Sequence, residues 1–212
     1  SFNMLTKSRI ISIGYTSLGK TGKSATELMY KALQHTMSGS NLNPLPIKQD
    51  EIDGLIAIPS LSESHFMMAH YFTTKYGIFD KRNSNNKLSF AKTIDLGGAG
   101  PISALIHADR LIKSKQCNIV AIVAGDAIGS MPSADFLKAA DNTCIVDSIN
   151  SKLKSPIIPN GYNKIAEWYV KEGMATREQL GMVPVLMSIN AVNHPYALTK
   201  KVHNLSDILN SH

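Results

Sequence analysis

The chain has 212 residues, 43% hydrophobic and 18% charged, a balance that excludes intrinsic disorder and allows one or two domains around a sizeable core. Its 22 Lys and Arg against 16 Asp and Glu give a net charge of +6, which favours an anionic ligand, but no basic cluster alternates with aromatics, so nucleic acid is not expected as a partner. The longest apolar runs, NIVAIVAG and VPVLM, fall far short of the ~20 residues of a membrane span, and Cys117 and Cys144 have no metal-ligand spacing and read as reduced thiols of an intracellular protein.

Residues 9–13, RIISI, read as a first strand. The stretch that follows, GYTSLGKT at 14–21, fits the phosphate-loop pattern G-x-x-x-x-G-K-[ST]. Gly14 and Gly19 would turn amides inward, Lys20 would reach the outer phosphates and Thr21 would hold Mg²⁺. SATELMYKALQHTM then predicts a helix with Ser24 as N-cap, Glu27 completing a capping box, and Leu28, Leu33 and Met37 on one face. That start leaves Lys20 outside the first turn, where the lysine of a phosphate loop belongs. Residues 54–58 predict a second strand. ESHFMMAHYFTTKYG predicts a helix closed by Gly77, and the polar KRNSNNK at 81–87 a loop. A strand at 90–95, a helix PISALIHADRLIKSK entered through Pro101, and a strand at 118–124 complete the series. Asp126, closing that last strand, is an acidic residue a nucleotide enzyme would use. Short apolar runs alternating with amphipathic stretches predict β-α-β units and an α/β fold.

Beyond Gly125 the texture changes. Pro132, Pro156 and Pro159 punctuate an irregular stretch that leads into NKIAEWYVKEGM and TREQLGMVPVLMSINAVNHP, a helical, loop-rich part beginning near Ala127. No internal repeat is present.

The order and wording of these pieces resemble the amino-terminal half of the thiolase superfamily, in its branch of sterol-carrier-protein-type thiolases and thiolase-like lipid-transfer proteins. GYTSLGKTGKSATELMYKAL resembles that branch's opening strand, glycine turn and first helix, and DEIDGLIAIPS its second strand. TIDLGGAGPISALIHADRLIKSKQCNIVAIVAGDA is similar to the active-site strand, nucleophile turn, buried helix and following strand. GYNKIAEWYVKEGMATREQLGMVPVLMSINAVNHPYAL is similar to the inserted loop domain. The resemblance implies a thiolase-like core over residues 4–126, with a mixed, mostly parallel sheet and helices on both faces. It implies a helical loop domain over 127–212, with the last strand and the second half of the fold absent.

In that family the nucleophilic cysteine lies in the turn before the third helix. The corresponding stretch here is Gly98-Ala99-Gly100-Pro101, so Gly98 takes the nucleophile's place and no residue for acyl transfer by the usual route is expected. The turn either brings a thioester carbonyl or oxyanion to helix-start amides, or merely permits a tight turn against a neighbouring subunit. Met131, in GSMPSAD, lies where the family has a comparable element beside the pantetheine arm. Lys138, Lys152 and Lys154 either meet the nucleotide's phosphates or are solvated surface lysines. The resemblance further implies a homodimer through FAKTID, or a partner chain supplying the second half. His65, His70 and His107 read as helical packing residues, His107 on the buried helix, and His194 as a loop residue. No separate cofactor is expected, coenzyme A entering as part of the substrate.

Three functions follow. The first is a thiolase-like protein binding acyl-CoA or a lipid thioester, as a degenerate acyltransferase or an aldolase-type enzyme, which needs a base and an oxyanion site but no covalent acyl group. The second is a non-catalytic interaction subunit, and the third a nucleotide-binding protein. The compartment, cytoplasmic, mitochondrial or peroxisomal, is not readable from the chain.

Overall fold

The computed structural model describes residues 7–38, 46–78, 88–142 and 155–211. The expected KRNSNNK loop, Cys144, Lys152 and Lys154 lie outside them. The chain divides into two units, Ser1–Thr16 with Lys20–Met131, and Ser17–Gly19 with Pro132–His212.

In the first unit, β1 (Gly54–Ala57) lies between β2 (Phe90–Thr93) and β3 (Val120–Val123), all parallel, in the order β2-β1-β3. Gly54 is level with Phe90 and with Val120, so the three strands start and end together. As the middle strand, β1 is buried on both faces and reads as an unbroken apolar run. Its side chains alternate between two cores. Leu55 and Ala57 join Met29, Leu33, Met68 and Phe72 of α1 (Ala25–Met37) and α2 (Met68–Lys75), while Ile56 and Ile58 join Ala104, Ala108 and Leu111 of α3 (Gly100–Lys113). The sheet therefore carries helices on both faces, as the α/β pattern predicts.

Asp53, just before β1, sets the register. Its buried carboxylate accepts from the Asn118 amide at 2.8 Å, the Asn118 side chain at 2.9 Å and the Ile119 amide at 2.9 Å, tying the head of β1 to the head of β3. Cys117 is buried beside it, and a Cβ on Gly54 would lie 2.9 Å from its Sγ, which makes glycine the fitting residue there. Burial pushes the Cys117 thiol up, and Asp53 adds to it, so this cysteine is the small packing residue the sequence suggests.

Two expectations fail. Residues 9–13 form no strand. The segment is drawn toward the helices: Ser8 donates to Asp109, Ser12 donates to the Thr36 carbonyl at 2.7 Å, and Gly14 presses so closely on α1 that a Cβ would sit 2.0 Å from the Ala32 oxygen. A cavity of about 700 Å³ remains between the segment and β3, lined by Met29, Leu33, Leu105, Ala108 and Val123 among others. The second concerns α3, expected as a buried helix. Its Ala104, Ala108 and Leu111 are buried, but Ile102, Leu105 and Ile106 are 62%, 43% and 48% exposed, and His107 is half-buried. One apolar face is covered by the sheet, and among the described residues the other is not.

The second unit is helical, with α4 (Ser133–Asn142), α5 (Ile157–Lys171), α6 (Arg177–Val192) and α7 (Leu205–Leu209). Capping boxes open α6, from Thr176 and Gln179, and α7, from Asn204 and Asp207. α6 and α7 meet so closely at Gly181 that a Cβ would lie 2.9 Å from Leu205.

Candidate functional site

Ligands of open parallel sheets gather at the carboxyl ends of the strands. Here three loops leave that edge: residues 58–67 after β1, 94–99 after β2 and 124–131 after β3. Asp126 knots the first and third. Its Oδ2 accepts from the Leu61 amide at 2.7 Å, and its Oδ1 from Ser60 Oγ at 3.0 Å, the Ser62 amide at 3.1 Å, the Ala127 amide at 2.9 Å and the Ser62 hydroxyl. Short polar side chains at a strand end favour such turns over a continuing ladder.

The knot explains why α2 starts at Met68 and not at Glu63 as the apolar spacing suggests. Residues 60–62 are held by Asp126, and the Glu63 carboxylate is committed to α1, accepting from the Thr26 amide at 2.8 Å and the Thr26 hydroxyl at 2.9 Å. His65 Nε2 lies 3.1 Å from Glu63 Oε1, Lys75 Nζ 3.8 Å away, and the His65 ring stacks on Tyr71 at 3.5 Å. Burial would raise the Glu63 carboxyl, but the Thr26 amide, His65 and the Thr26 hydroxyl outweigh it and hold it at about 2. Glu63 is thus a fixed anion at this edge. His65, expected within a helix, sits in the loop before α2.

The glycine turn lies on the adjacent loop. Gly97, Gly98 and Ala99 form a 3₁₀ turn that runs directly into α3, with Gly97 at φ +51. The Ala99 amide donates to the Leu96 carbonyl at 3.1 Å and the Gly100 amide to that of Gly97. Among the described residues the amides of Gly97 and Gly98 meet no acceptor. A Cβ on Gly98 would touch nothing within 4 Å, whereas one on Gly100 would lie 3.2 Å from Ile58, so Gly100 is a packing glycine and Gly98 opens to solvent. Ala99 is exposed as well. The Ala69 amide of α2 donates to Thr93 Oγ1 at the end of β2 at 3.0 Å. Large apolar side chains stand exposed on all three loops: Leu61, Phe66 and Met67, then Leu96, then Ile128. The edge therefore combines an apolar collar with free amides, one histidine and the exposed carboxylate of Asp95, the composition of a small-molecule site.

Of the expected site residues, Gly98, Ala99 and Gly100 are contiguous in this turn, and Met131 follows the 3₁₀ turn Ile128–Ser130 on the third loop, half-buried. Lys138 is exposed on α4 in the second unit. Among the described residues no group of three or more His, Cys, Asp or Glu is placed to hold a metal, and no helix is long and apolar enough to cross a membrane.

The phosphate-loop pattern resolves into local backbone demands. α1 starts at Ala25 with Ser24 as its N-cap and a complete capping box, so Lys20 lies ahead of the helix. The amides a phosphate would take are already filled, Thr26 by Glu63 and Glu27 by Ser24 Oγ at 3.3 Å. Gly14 and Tyr15 lie against the other end of α1, where His35 Nδ1 meets the Tyr15 carbonyl at 2.6 Å. Gly14 is required by the close approach to Ala32, and Gly19 by φ +106. Asp126, the acidic candidate, is engaged on both oxygens by the serine loop.

No protein-family model matches the sequence, and no curated protein matches it either. Among solved structures, a chain described as "Ltp2-ChsH2(DUF35) aldolase" has the same fold, with a TM-score of 0.69 at 20% sequence identity over 96% of this chain. The matched region is 48% of that chain, so the present one spans about half its length.

Proposed function

We propose that this chain is a thiolase-like subunit that binds an acyl-CoA or related lipid thioester at the carboxyl edge of its sheet and serves aldolase-type carbon–carbon cleavage, not acyl transfer. The observation that carries this reading is the turn at the head of α3: position 98 has no side chain, hence no nucleophile, yet the Gly97 and Gly98 amides stand free where a thioester oxygen would gain charge. A fold shared with a chain described as an aldolase supports the same choice. In this reading Gly98 and Ala99 admit the thioester, Gly100 keeps the turn tight against Ile58, and Met131 borders the pantetheine arm.

Parallel calorimetric titrations with acetyl-CoA, a long-chain acyl-CoA and ATP with Mg²⁺ test it. Micromolar binding of a CoA thioester and silence with ATP are expected. Binding of ATP alone would overturn the reading in favour of the nucleotide hypothesis.

A second reading, a non-catalytic interaction subunit, is favoured by the uncovered Ile102, Leu105 and Ile106 of α3 and by β2 lying at a sheet edge, where FAKTID would pair with its copy or a partner chain. Tight self-association in sedimentation equilibrium without thioester binding would select it.

A further inference from the structure

Among the described residues β3 is an edge strand, and its outer side faces a cavity. The Asp53 and Gly54 amides donate to the Ile119 carbonyl, both at 3.2 Å, and the Ile58 amide to that of Val123 at 2.9 Å. Ile119, Ala121 and Val123 therefore face β1, and the amides and carbonyls of Val120 and Ile122 point the other way. Among the described residues these groups meet no partner. The slot they face, about 700 Å³, has β3 along one bank and residues 7–14 along the other. That far bank is pinned, Ser8 to Asp109 and Ser12 to Thr36. Residues 9–13 thus stand off from β3 although their composition suits a strand, and Ile10 and Ile11 are left 70% and 46% exposed. The side walls are helical, Met29 and Leu33 of α1 on one face and Leu105, Ala108 and Ile112 of α3 on the other.

These features specify what fits. Unmet donors and acceptors along a strand call for another backbone; an acyl chain would match the apolar walls but leave the groups of Val120 and Ile122 desolvated without partners. Apolar helices on both sides call for a run that is apolar on both faces, as β1 is, and not an alternating one. The four residues of β3 limit it to about five residues, or about 17 Å. Lys7 and Arg9 are exposed on the far bank, and the acid beside them, Asp109, is already engaged by Ser8 and Lys113, which favours an acidic residue at one flank. We propose that the slot is a strand-docking site, in which a partner chain inserts an extended run of about five β-branched or other apolar residues with an acidic flank and pairs it with Val120 and Ile122. Main-chain bonds supply the affinity, and the two helical walls the selectivity. No residue of the turn at 97–100 lines the slot, so the proposal stands or falls apart from the thioester reading.

The probe is a fluorescein-labelled peptide, Glu-Val-Ile-Val-Ile-Val-Glu, titrated with the whole chain and read by anisotropy. Micromolar binding is expected, weakened at least about tenfold when the five apolar residues are N-methylated, which keeps their side chains and removes their donors. At saturation, amide exchange at Val120 and Ile122 should slow by about tenfold or more. Palmitate, the acyl-chain competitor, is expected not to displace the peptide. Arg9→Glu, on an exposed position, should weaken the glutamate-flanked peptide and favour the same peptide flanked by lysines. Equal binding of the N-methylated peptide, displacement by palmitate, or binding that leaves exchange at Val120 and Ile122 unchanged would overturn the strand assignment, as would failure of the wild-type chain to bind the peptide. An R9E chain that still prefers the glutamate flanks would refute the acidic flank.

Discussion

Replacing Glu63 by Gln removes a charge from the point where the β1 loop meets the head of α1, while keeping size and one acceptor oxygen. The carboxyl is held at about 2 against an ordinary 4.5. At about 1.4 kcal/mol per pH unit this difference is worth about 3 kcal/mol at most. With the side chain 20% accessible, screening by solvent reduces the expected loss to about 1–2 kcal/mol. Because the folded carboxyl titrates below the unfolded one, its contribution is complete above 4.5 and is lost as pH falls through about 2. Urea unfolding of wild type and E63Q is therefore expected to differ by about 1–2 kcal/mol at neutral pH and to converge as pH falls from 4.5 toward 2. Amide exchange at Thr26, which loses its ionic acceptor, should accelerate by about tenfold. A difference that persists unchanged through the acid range would mean that Glu63 acts by shape and not by charge, and would refute the argument.

Gly98→Cys places a side chain where a Cβ meets nothing within 4 Å, so stability should change by less than about 0.5 kcal/mol, and the new thiol should be alkylated by iodoacetamide faster than buried Cys117. Gly54→Ala drives a methyl to 2.9 Å from Cys117 and 3.1 Å from Val120, and urea titration should show a loss of about 1–3 kcal/mol. Asp126→Asn cannot accept from all the serine-loop donors it now serves, and a loss of about 2–3 kcal/mol is expected, with faster exchange at the Leu61 and Ser62 amides.

The sheet was legible in the sequence because β1 and β3 are short apolar runs and β2 an alternating one, and α1 because Ser24 and Glu27 form a local capping box. The strand expected at 9–13 was not legible as a failure: RIISI has every local property of a strand, and what removes it is the pull of Thr36, Asp109 and the Ala32 contact, all distant in sequence. The start of α2 was misplaced for the same reason, since the spacing in ESHFMMAH suits a helix but Glu63 is claimed by Thr26, 37 residues earlier. The glycine turn is where the family resemblance places it, ahead of Pro101 in the first turn of α3. His65 fits the helical spacing of ESHFMMAH as well, yet the polar run SLSESH directly after a parallel strand forms a loop. The phosphate-loop match carried no information about its own context, because each glycine in it answers a separate steric demand.

Through Asp126, the loop after β1 and the loop after β3 share a single anchor. Neither can be redesigned alone: a new β1 loop grafted without the β3 end would arrive without its acceptor, and a new β3 end would leave two serines and a run of amides without theirs. Remodelling this edge thus calls for exchanging both loops as one cassette, with the loop after β2, which takes no part in the knot, as the place where single substitutions can be tried first.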